Sequence, residues 1–145
     1  MPEYWDTSCL VKLYCLEEDS DAYAERLSSL EEPLVTSTLT RTELLFAFEQ
    51  KALRQETNGQ SAEQLYHTLE SDHQAGRLRF LPLGEDVLSE ARAIASDCYA
   101  AKPSIPLRTL DGLHLATARL AACSRVVSAD ERMNAAAKAL GIALG

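Results

Sequence analysis

Short apolar stretches along this chain are separated by longer ones in which apolar positions recur every three to four residues. The first short stretch, Tyr4-Trp5, predicts a strand and runs into a helix carrying Leu10, Val11, Leu13 and Tyr14. Ser20-Asp21 then caps a second helix bearing Tyr23, Leu27 and Leu30, which Pro33 closes. Leu34-Val35-Thr36-Ser37 predicts another strand, and Thr38 to Thr40 begin a helix through Leu44, Leu45, Ala47 and Phe48. Asn58-Gly59 breaks that pattern, and Ser61-Ala62-Glu63-Gln64 has the form of a capping box for a helix ending near Gly76, so the two long helices should form a hairpin. Leu78-Arg79-Phe80-Leu81 alternates as a strand does, after which Val87, Leu88, Ala91, Ile94, Ala95 and Cys98 trace a helical stripe ended by Pro103 and Pro106. A helix around Asp111, a Val126-Val127 strand, a helix from Glu131 to Leu140 with Gly141 as its cap, and a final Ile142-Ala143-Leu144 strand complete the pattern. Strands alternating with helices predict an α/β fold whose parallel sheet is covered on both faces, with ligands beyond the carboxyl ends of the strands.

Composition narrows the picture. A chain of 145 residues with 46% hydrophobic content, and with no repeat, low-complexity tract or linker, is expected to form a single domain over 1-145. A net charge of -8 argues against a surface broadly built for nucleic-acid backbone, so any such contact must be local. The chain has neither the basic start and apolar run of a secretory signal nor an apolar segment of membrane-spanning length, which predicts a cytoplasmic protein with no membrane partner. Cys9, Cys15, Cys98 and Cys123 have neither metal-site spacing nor the density of a disulfide scaffold and are expected to be reduced core residues. There is no Gly-x-Gly-x-x-Gly, P-loop or serine-hydrolase elbow, which removes support for nucleotide-binding and serine-hydrolase classes.

The candidate chemistry lies in acids at the ends of the predicted elements. In Leu107-Arg108-Thr109-Leu110-Asp111-Gly112-Leu113-His114-Leu115-Ala116-Thr117-Ala118, Asp111 shares its helical face with His114, Leu115 and Ala118, so a carboxylate points toward a core or a cleft. Asp6 follows the first strand and Asp130 the Val126-Val127 strand, while Glu43 sits near the start of the helix after the second strand. Each acid also has an ordinary structural explanation. Asp6 could cap a helix, although Thr7 or Ser8 could do so equally; Glu43 could close a capping box with Thr40; Asp111 could complement a helix dipole; Asp130 or Glu131 could begin the last helix. Several acids delivered to one edge of a parallel sheet nevertheless suit a divalent cation, since Mg²⁺ or Mn²⁺ prefers hard oxygen ligands. Carboxylates crowded there without metal should repel, raising the pKa of at least one.

With Asp6-Thr7-Ser8, Glu43, the Asp111-Gly112-Leu113-His114-Leu115-Ala116 block and Asp130 in order, the chain resembles the PIN-domain family over its full length, specifically the VapC-type ribonuclease toxins. Trp5 stands where a smaller aliphatic residue is more usual. The resemblance implies a PIN-like three-layer sandwich with a four- to five-stranded parallel sheet, and a Mg²⁺-dependent endoribonuclease neutralised by a small antitoxin. It also implies that Asp6, Glu43, Asp111 and Asp130 are the catalytic metal-site acids, with Ser8 a polar helper and Arg108 orienting a phosphate or another acid. A homodimer is expected, and RNA grip would come from Lys12, Arg41, Arg108 and Arg132. His114 is expected to pack beneath Asp111 and support it. The alternatives are a free-standing nuclease that is not a toxin and a catalytically silent binding module. An aspartyl-nucleophile phosphatase using Asp6 is disfavoured by Ser8, where a second aspartate would be needed.

Overall fold

A computed structural model describes residues 1–145. Its elements run β1 (Glu3–Trp5), α1 (Thr7–Tyr14), α2 (Ser20–Ser28), β2 (Leu34–Ser37), α3 (Thr38–Leu53), α4 (Ala62–Gln74), β3 (Leu78–Leu81), α5 (Glu85–Ala100), α6 (Thr109–Leu120), β4 (Arg125–Val127) and α7 (Glu131–Ala139). The four strands are all parallel, in the order β3-β2-β1-β4. The chain therefore builds outward from β1 on one side and then returns to β1's other side with β4. That reversal opens a crevice beyond the carboxyl ends of β1 and β4, where parallel α/β sheets place their ligands.

Strand alternation divides the interior into two cores, one on each face of the sheet. Tyr4, Val35 and Val126 join Val87, Ile94, Cys98, Leu115, Met133 and Ala136 from α5, α6 and α7. Trp5, Leu34 and Val127 face the other way, onto Leu10, Leu44, Phe48, Leu65 and Leu69 from α1, α3 and α4. The three-layer sandwich expected from the pattern is present, and α3 and α4 form the anticipated hairpin, with Ser61 and Gln64 completing the capping box. Gly76 and Gly141 follow α4 and α7 with φ of 75° and 73°, a left-handed backbone that glycine adopts without a Cβ clash. No helix is long and apolar enough to cross a membrane.

Several details differ from the pattern. The segment Ile142 to Leu144 is not a full strand; it joins the sheet through one parallel bridge, Val126 to Leu144, beside the three-residue β4. Asp19, not Ser20, precedes α2, and the Ser20 hydroxyl accepts a hydrogen bond from the Glu17 amide. Leu88 and Ala95 fall outside the buried stripe of α5, which comprises Val87, Ile94 and Cys98. All four cysteines are free thiols, three of them buried; burial raises the pKa of each, to about 11 for the half-buried Cys123, so none has the lowered value of a reactive thiol.

At the start of β1, Glu3 receives the Trp5 indole N–H at 3.0 Å and a two-pronged guanidinium contact from Arg26 at 2.9 and 2.6 Å. Burial pushes the Glu3 carboxyl up, but these hydrogen bonds and the Arg26 and Arg125 charges outweigh it, so its pKa lies below the ordinary value. The stabilisation is then fully present above the unfolded-state pKa and is lost as pH falls through the lower folded-state value. Glu3→Gln is expected to destabilise the protein by about 1–3 kcal/mol at neutral pH. The gap between the thermal midpoints of wild type and variant should narrow as pH falls through the lowered folded-state pKa of Glu3; a gap independent of pH would place the effect in packing.

Candidate active site

Register and hydrogen bonding set Asp6 into the crevice between β1 and β4. Trp5 pairs with Val127, and the Asp6 amide donates to the Val127 carbonyl at 3.1 Å, so the side chain emerges where both strands end. Its Oδ1 accepts from the Ser8 hydroxyl at 2.7 Å and its Oδ2 from the Ser128 hydroxyl at 2.6 Å. Ser8 Oγ in turn accepts the Ala129 amide at 2.9 Å, and Ser128 Oγ accepts the Asp130 amide at 3.0 Å. The two serines thus tie the loop after β4 to a carboxylate that is only 4% exposed. Asp6 is also the cap of α1, accepting from the Cys9 amide at 3.3 Å. The expectation that Thr7 or Ser8 could take over capping does not hold: both hydroxyls are turned toward acids.

Glu43 projects from the second turn of α3. The cap of that helix is Ser37, which accepts from Leu39, so the capping box with Thr40 does not form and Glu43 is free to turn into the cleft. Its Oε1 receives the Thr7 hydroxyl at 2.8 Å and lies 2.6 Å from His114 Nε2. The His114 Nδ1 is 2.6 Å from the Tyr4 hydroxyl, whose oxygen also accepts the Ser37 amide at 3.2 Å. Burial keeps Tyr4 a neutral phenol by raising its pKa well above the ordinary value, so its one proton can go to Nδ1 while Nε2–H donates to Glu43. The pKa of Glu43 itself is lowered. Burial works upward, and the His114 hydrogen bond and field, the Thr7 hydroxyl and the Arg108 charge outweigh it. His114 therefore does not sit beneath Asp111 as its support; it serves Glu43, 71 residues away in sequence.

Asp111 and Asp130 meet through Arg108. Asp111 lies in the first turn of α6, 7% exposed, and its Oδ2 accepts from Arg108 Nε at 3.0 Å. The same guanidinium donates from its terminal nitrogen to Asp130 Oδ2 at 2.8 Å, while Asp130 Oδ1 caps α7 through the Arg132 amide. The hydrogen bond to Asp111, with the charges of Asp111 and Asp130, raises the pKa of Arg108. Of the two sequence alternatives, Asp130 joins this network, whereas Glu131 is an exposed first-turn residue of α7 outside it. Two of the cations expected to grip RNA are engaged elsewhere. Lys12 pairs with Asp19 at 2.7 Å, and Arg41 makes a two-pronged pair with Glu70 while stacking over Phe80 at 4.6 Å. Leu44, Phe48, Leu65 and Leu69 are core, and the apolar residues exposed near Glu43 are Leu45, Phe46 and Leu110.

No three His, Cys, Asp or Glu side chains stand together as a ready metal cage, because Arg108 already counters Asp111 and Asp130 and serine hydroxyls hold Asp6. The donor chemistry still suits a hard cation. Glu43 Oε2 and Asp111 Oδ1 take no hydrogen bond from the protein, and neither is a buried atom lacking a partner, so both are oxygens open to solvent at the cleft. Sequence reasoning overlooked Tyr4, Thr7 and Ser128. Ser128 could have been found from its place just after β4, opposite Asp6; Tyr4 was hidden by its apolar, strand-like context.

The PIN domain family model matches residues 4–139. Ribonuclease VapC46 of Mycobacterium tuberculosis (strain ATCC 25618 / H37Rv) is 34% identical over 143 residues, covering 97% of this chain and 94% of that protein. Among solved structures, VapBC2 from Rickettsia felis bound to a DNA fragment from their promoter has the same fold, with a TM-score of 0.72 at 16% identity over 100% of this chain and 98% of that one. VapC20 of Mycobacterium tuberculosis, described as a sarcin-ricin loop cleaving toxin, has a TM-score of 0.71 at 13% identity, covering 92% of this chain and 94% of that one. With the family model spanning both cores and all four acids, and a relative matched along nearly its whole length, this chain belongs to the PIN-domain family and is kin to its VapC ribonucleases.

Proposed function

We propose that residues 1–145 form one nuclease domain, an endoribonuclease that hydrolyses RNA phosphodiester bonds with Mg²⁺, or Mn²⁺ in its place, and that it is the toxin of a toxin-antitoxin pair. The supporting observation is that Asp6, Glu43, Asp111 and Asp130, from four different elements, line one sheet edge, in a chain whose full-length relative is named a ribonuclease. Its similarity in fold to proteins solved as toxin-antitoxin complexes favours a small protein antitoxin as partner, and the apolar groove of Leu39, Phe46, Ala47 and Leu110 beside Glu43 suits such a segment. A homodimer working in the cytoplasm completes the proposal.

Asp6, Glu43, Asp111 and Asp130 would hold the cation, which when bound supplies Lewis acidity toward the phosphate and an activated water. Ser8 and Ser128 keep both Asp6 oxygens oriented, and Thr7 and His114 hold Glu43 Oε1 while leaving Oε2 open. No side chain needs to act as a nucleophile. Water adds to phosphorus in line with the departing 3′ oxygen, leaving 3′-hydroxyl and 5′-phosphate ends. Arg108, whose side chain is 60% exposed, can leave its acids and contact a substrate phosphate. A local grip of this kind in a chain of net charge -8 makes binding short in extent and weaker as salt rises.

Purified protein incubated with total RNA should cleave it in Mg²⁺ or Mn²⁺ and not in excess chelator. Cleavage that persists in chelator would overturn the metal-dependent mechanism, and intact RNA in both metals would favour a catalytically silent binding module. Arg108→Ala should tighten Mn²⁺ binding measured by calorimetry about two- to fivefold, because an exposed guanidinium no longer competes for Asp111 and Asp130. The same variant should raise KM for RNA. Weaker Mn²⁺ binding would instead show that Arg108 organises these acids for the cation.

A further inference from the structure

Among the four acids, Glu43 is the one whose carboxylate is held through a second buried side chain, Tyr4 behind His114. Asp6, Asp111 and Asp130 sit at strand ends or in the first turn of a helix, on short side chains held by neighbours in the same crevice. Glu43 lies further into α3, on a side chain with one more torsion. We propose that His114, braced from behind by Tyr4, is the positioning residue that sets the Glu43 carboxylate for the cation, an inference that rests on the nuclease function proposed above.

The geometry is a continuous hydrogen-bond chain across four elements. It runs from the Ser37 amide at the end of β2 to the Tyr4 hydroxyl on β1 (3.2 Å), to His114 Nδ1 on α6 (2.6 Å), and from His114 Nε2 to Glu43 Oε1 on α3 (2.6 Å). Tyr4 is fully buried and His114 is 3% exposed, so water cannot substitute for a missing link without entering a packed region. Both imidazole nitrogens are occupied, which leaves His114 neither a metal ligand nor a base toward substrate. The imidazole edge meets the Tyr4 ring at a centroid distance of 5.9 Å and an interplanar angle of 64°, which holds the plane in which Nε2 points. Only Oε1 is restrained, by His114 and Thr7, so Oε2 is presented in one direction. Partners of this kind, one bond removed from a ligand, influence metal affinity and activity by about 10- to 100-fold.

The test uses full-length protein and three variants, Tyr4→Phe, His114→Gln and His114→Ala, with Mn²⁺ affinity from calorimetry and kcat and KM on a fluorogenic RNA. Tyr4→Phe keeps the ring and removes the brace; its Mn²⁺ Kd should rise about 10-fold and kcat should fall by a similar factor, with KM changed by less than about twofold. His114→Ala should lose more. His114→Gln, whose amide can donate to Glu43, should recover most of the affinity lost in His114→Ala. Long-range nitrogen-proton NMR of metal-free protein should show the Nε2–H tautomer of His114 in wild type and a mixture in Tyr4→Phe. If His114→Ala fails to fold, Tyr4→Phe and His114→Gln decide the question. Wild-type Mn²⁺ affinity and kcat in folded Tyr4→Phe, or His114→Gln as impaired as a folded His114→Ala, would overturn positioning while leaving the nuclease function standing. Wild-type protein that neither binds Mn²⁺ nor cleaves RNA would overturn both.

Discussion

Replacing Asp6 with asparagine is expected to abolish metal-dependent RNA cleavage while the protein remains folded. The acid contributes charge to the proposed cation site, and loss of cation stabilisation removes several kcal/mol from the transition state, a rate loss of at least about 10³-fold. The choice of asparagine follows from the second duty of Asp6, as the cap of α1. Asparagine caps a helix about as well as aspartate, whereas alanine would cost about 1–2 kcal/mol of stability and confuse the two roles. The Ser8 and Ser128 hydroxyls, which now donate to the carboxylate, can rotate to meet an amide. Asp111→Asn should behave alike, with Arg108 keeping its contact with Asp130. Cleavage of a defined RNA and a thermal midpoint, measured on the same preparations, separate the outcomes. Retained cleavage in Asp6→Asn would remove that acid from the mechanism, and unfolding of both variants would assign the acids to structure.

The largest stability effect is expected one residue earlier. Trp5 is fully buried beneath α1 and α3, its ring edge-on to Tyr23 at 6.0 Å and its indole N–H bonded to Glu3. Trp5→Ala should destabilise the fold by about 3–5 kcal/mol, the range for removing a large aromatic from a packed core. Against a total of about 5–15 kcal/mol this lowers the thermal midpoint by roughly 10–20 °C. Trp5→Phe should lose much less, since it retains a ring and gives up chiefly the donor to Glu3. A calorimetric loss below about 1 kcal/mol in Trp5→Ala would mean that the neighbouring helices close over the space. The bulk of Trp5 fills the core between β1, α1 and α3. That core anchors the strand from which Asp6 emerges.

Much of the architecture was legible because burial leaves a local trace. Tyr4 and Trp5 alternate, and they do face opposite cores; Leu44 and Phe48 recur at helical spacing, and they do lie on one buried face. The capping box at Ser61 and the glycine after α7 marked helix ends in the same way. The site was legible in part. Asp6 and Asp130 follow strands, and Asp111 interrupts an apolar stripe, so their common edge could be deduced from the parallel alternation alone. Their partners could not. His114 reads along its helix as the neighbour of Asp111, but the imidazole reaches across to Glu43. Arg41 reads as the neighbour of Glu43, but turns away to Glu70 and Phe80. Asp6 was weighed as either cap or site acid, and capping does not exclude the second role, because a carboxylate has enough lone pairs to accept a backbone amide and two hydroxyls at once.

The order of strands and helices, the two faces of each, the position of Asp6 and Asp130 after strands and the family were thus contained in the sequence, because periodicity and chain order are properties of neighbouring residues. The tertiary structure alone decided which acid each donor serves: Arg108 between Asp111 and Asp130, Ser8 and Ser128 on Asp6, Tyr4 and His114 behind Glu43. A hydrogen bond requires its atoms within about 3 Å and well aligned. That condition depends on how α3 and α6 pack on the sheet, and residues far apart in the chain satisfy it only after the two cores have closed.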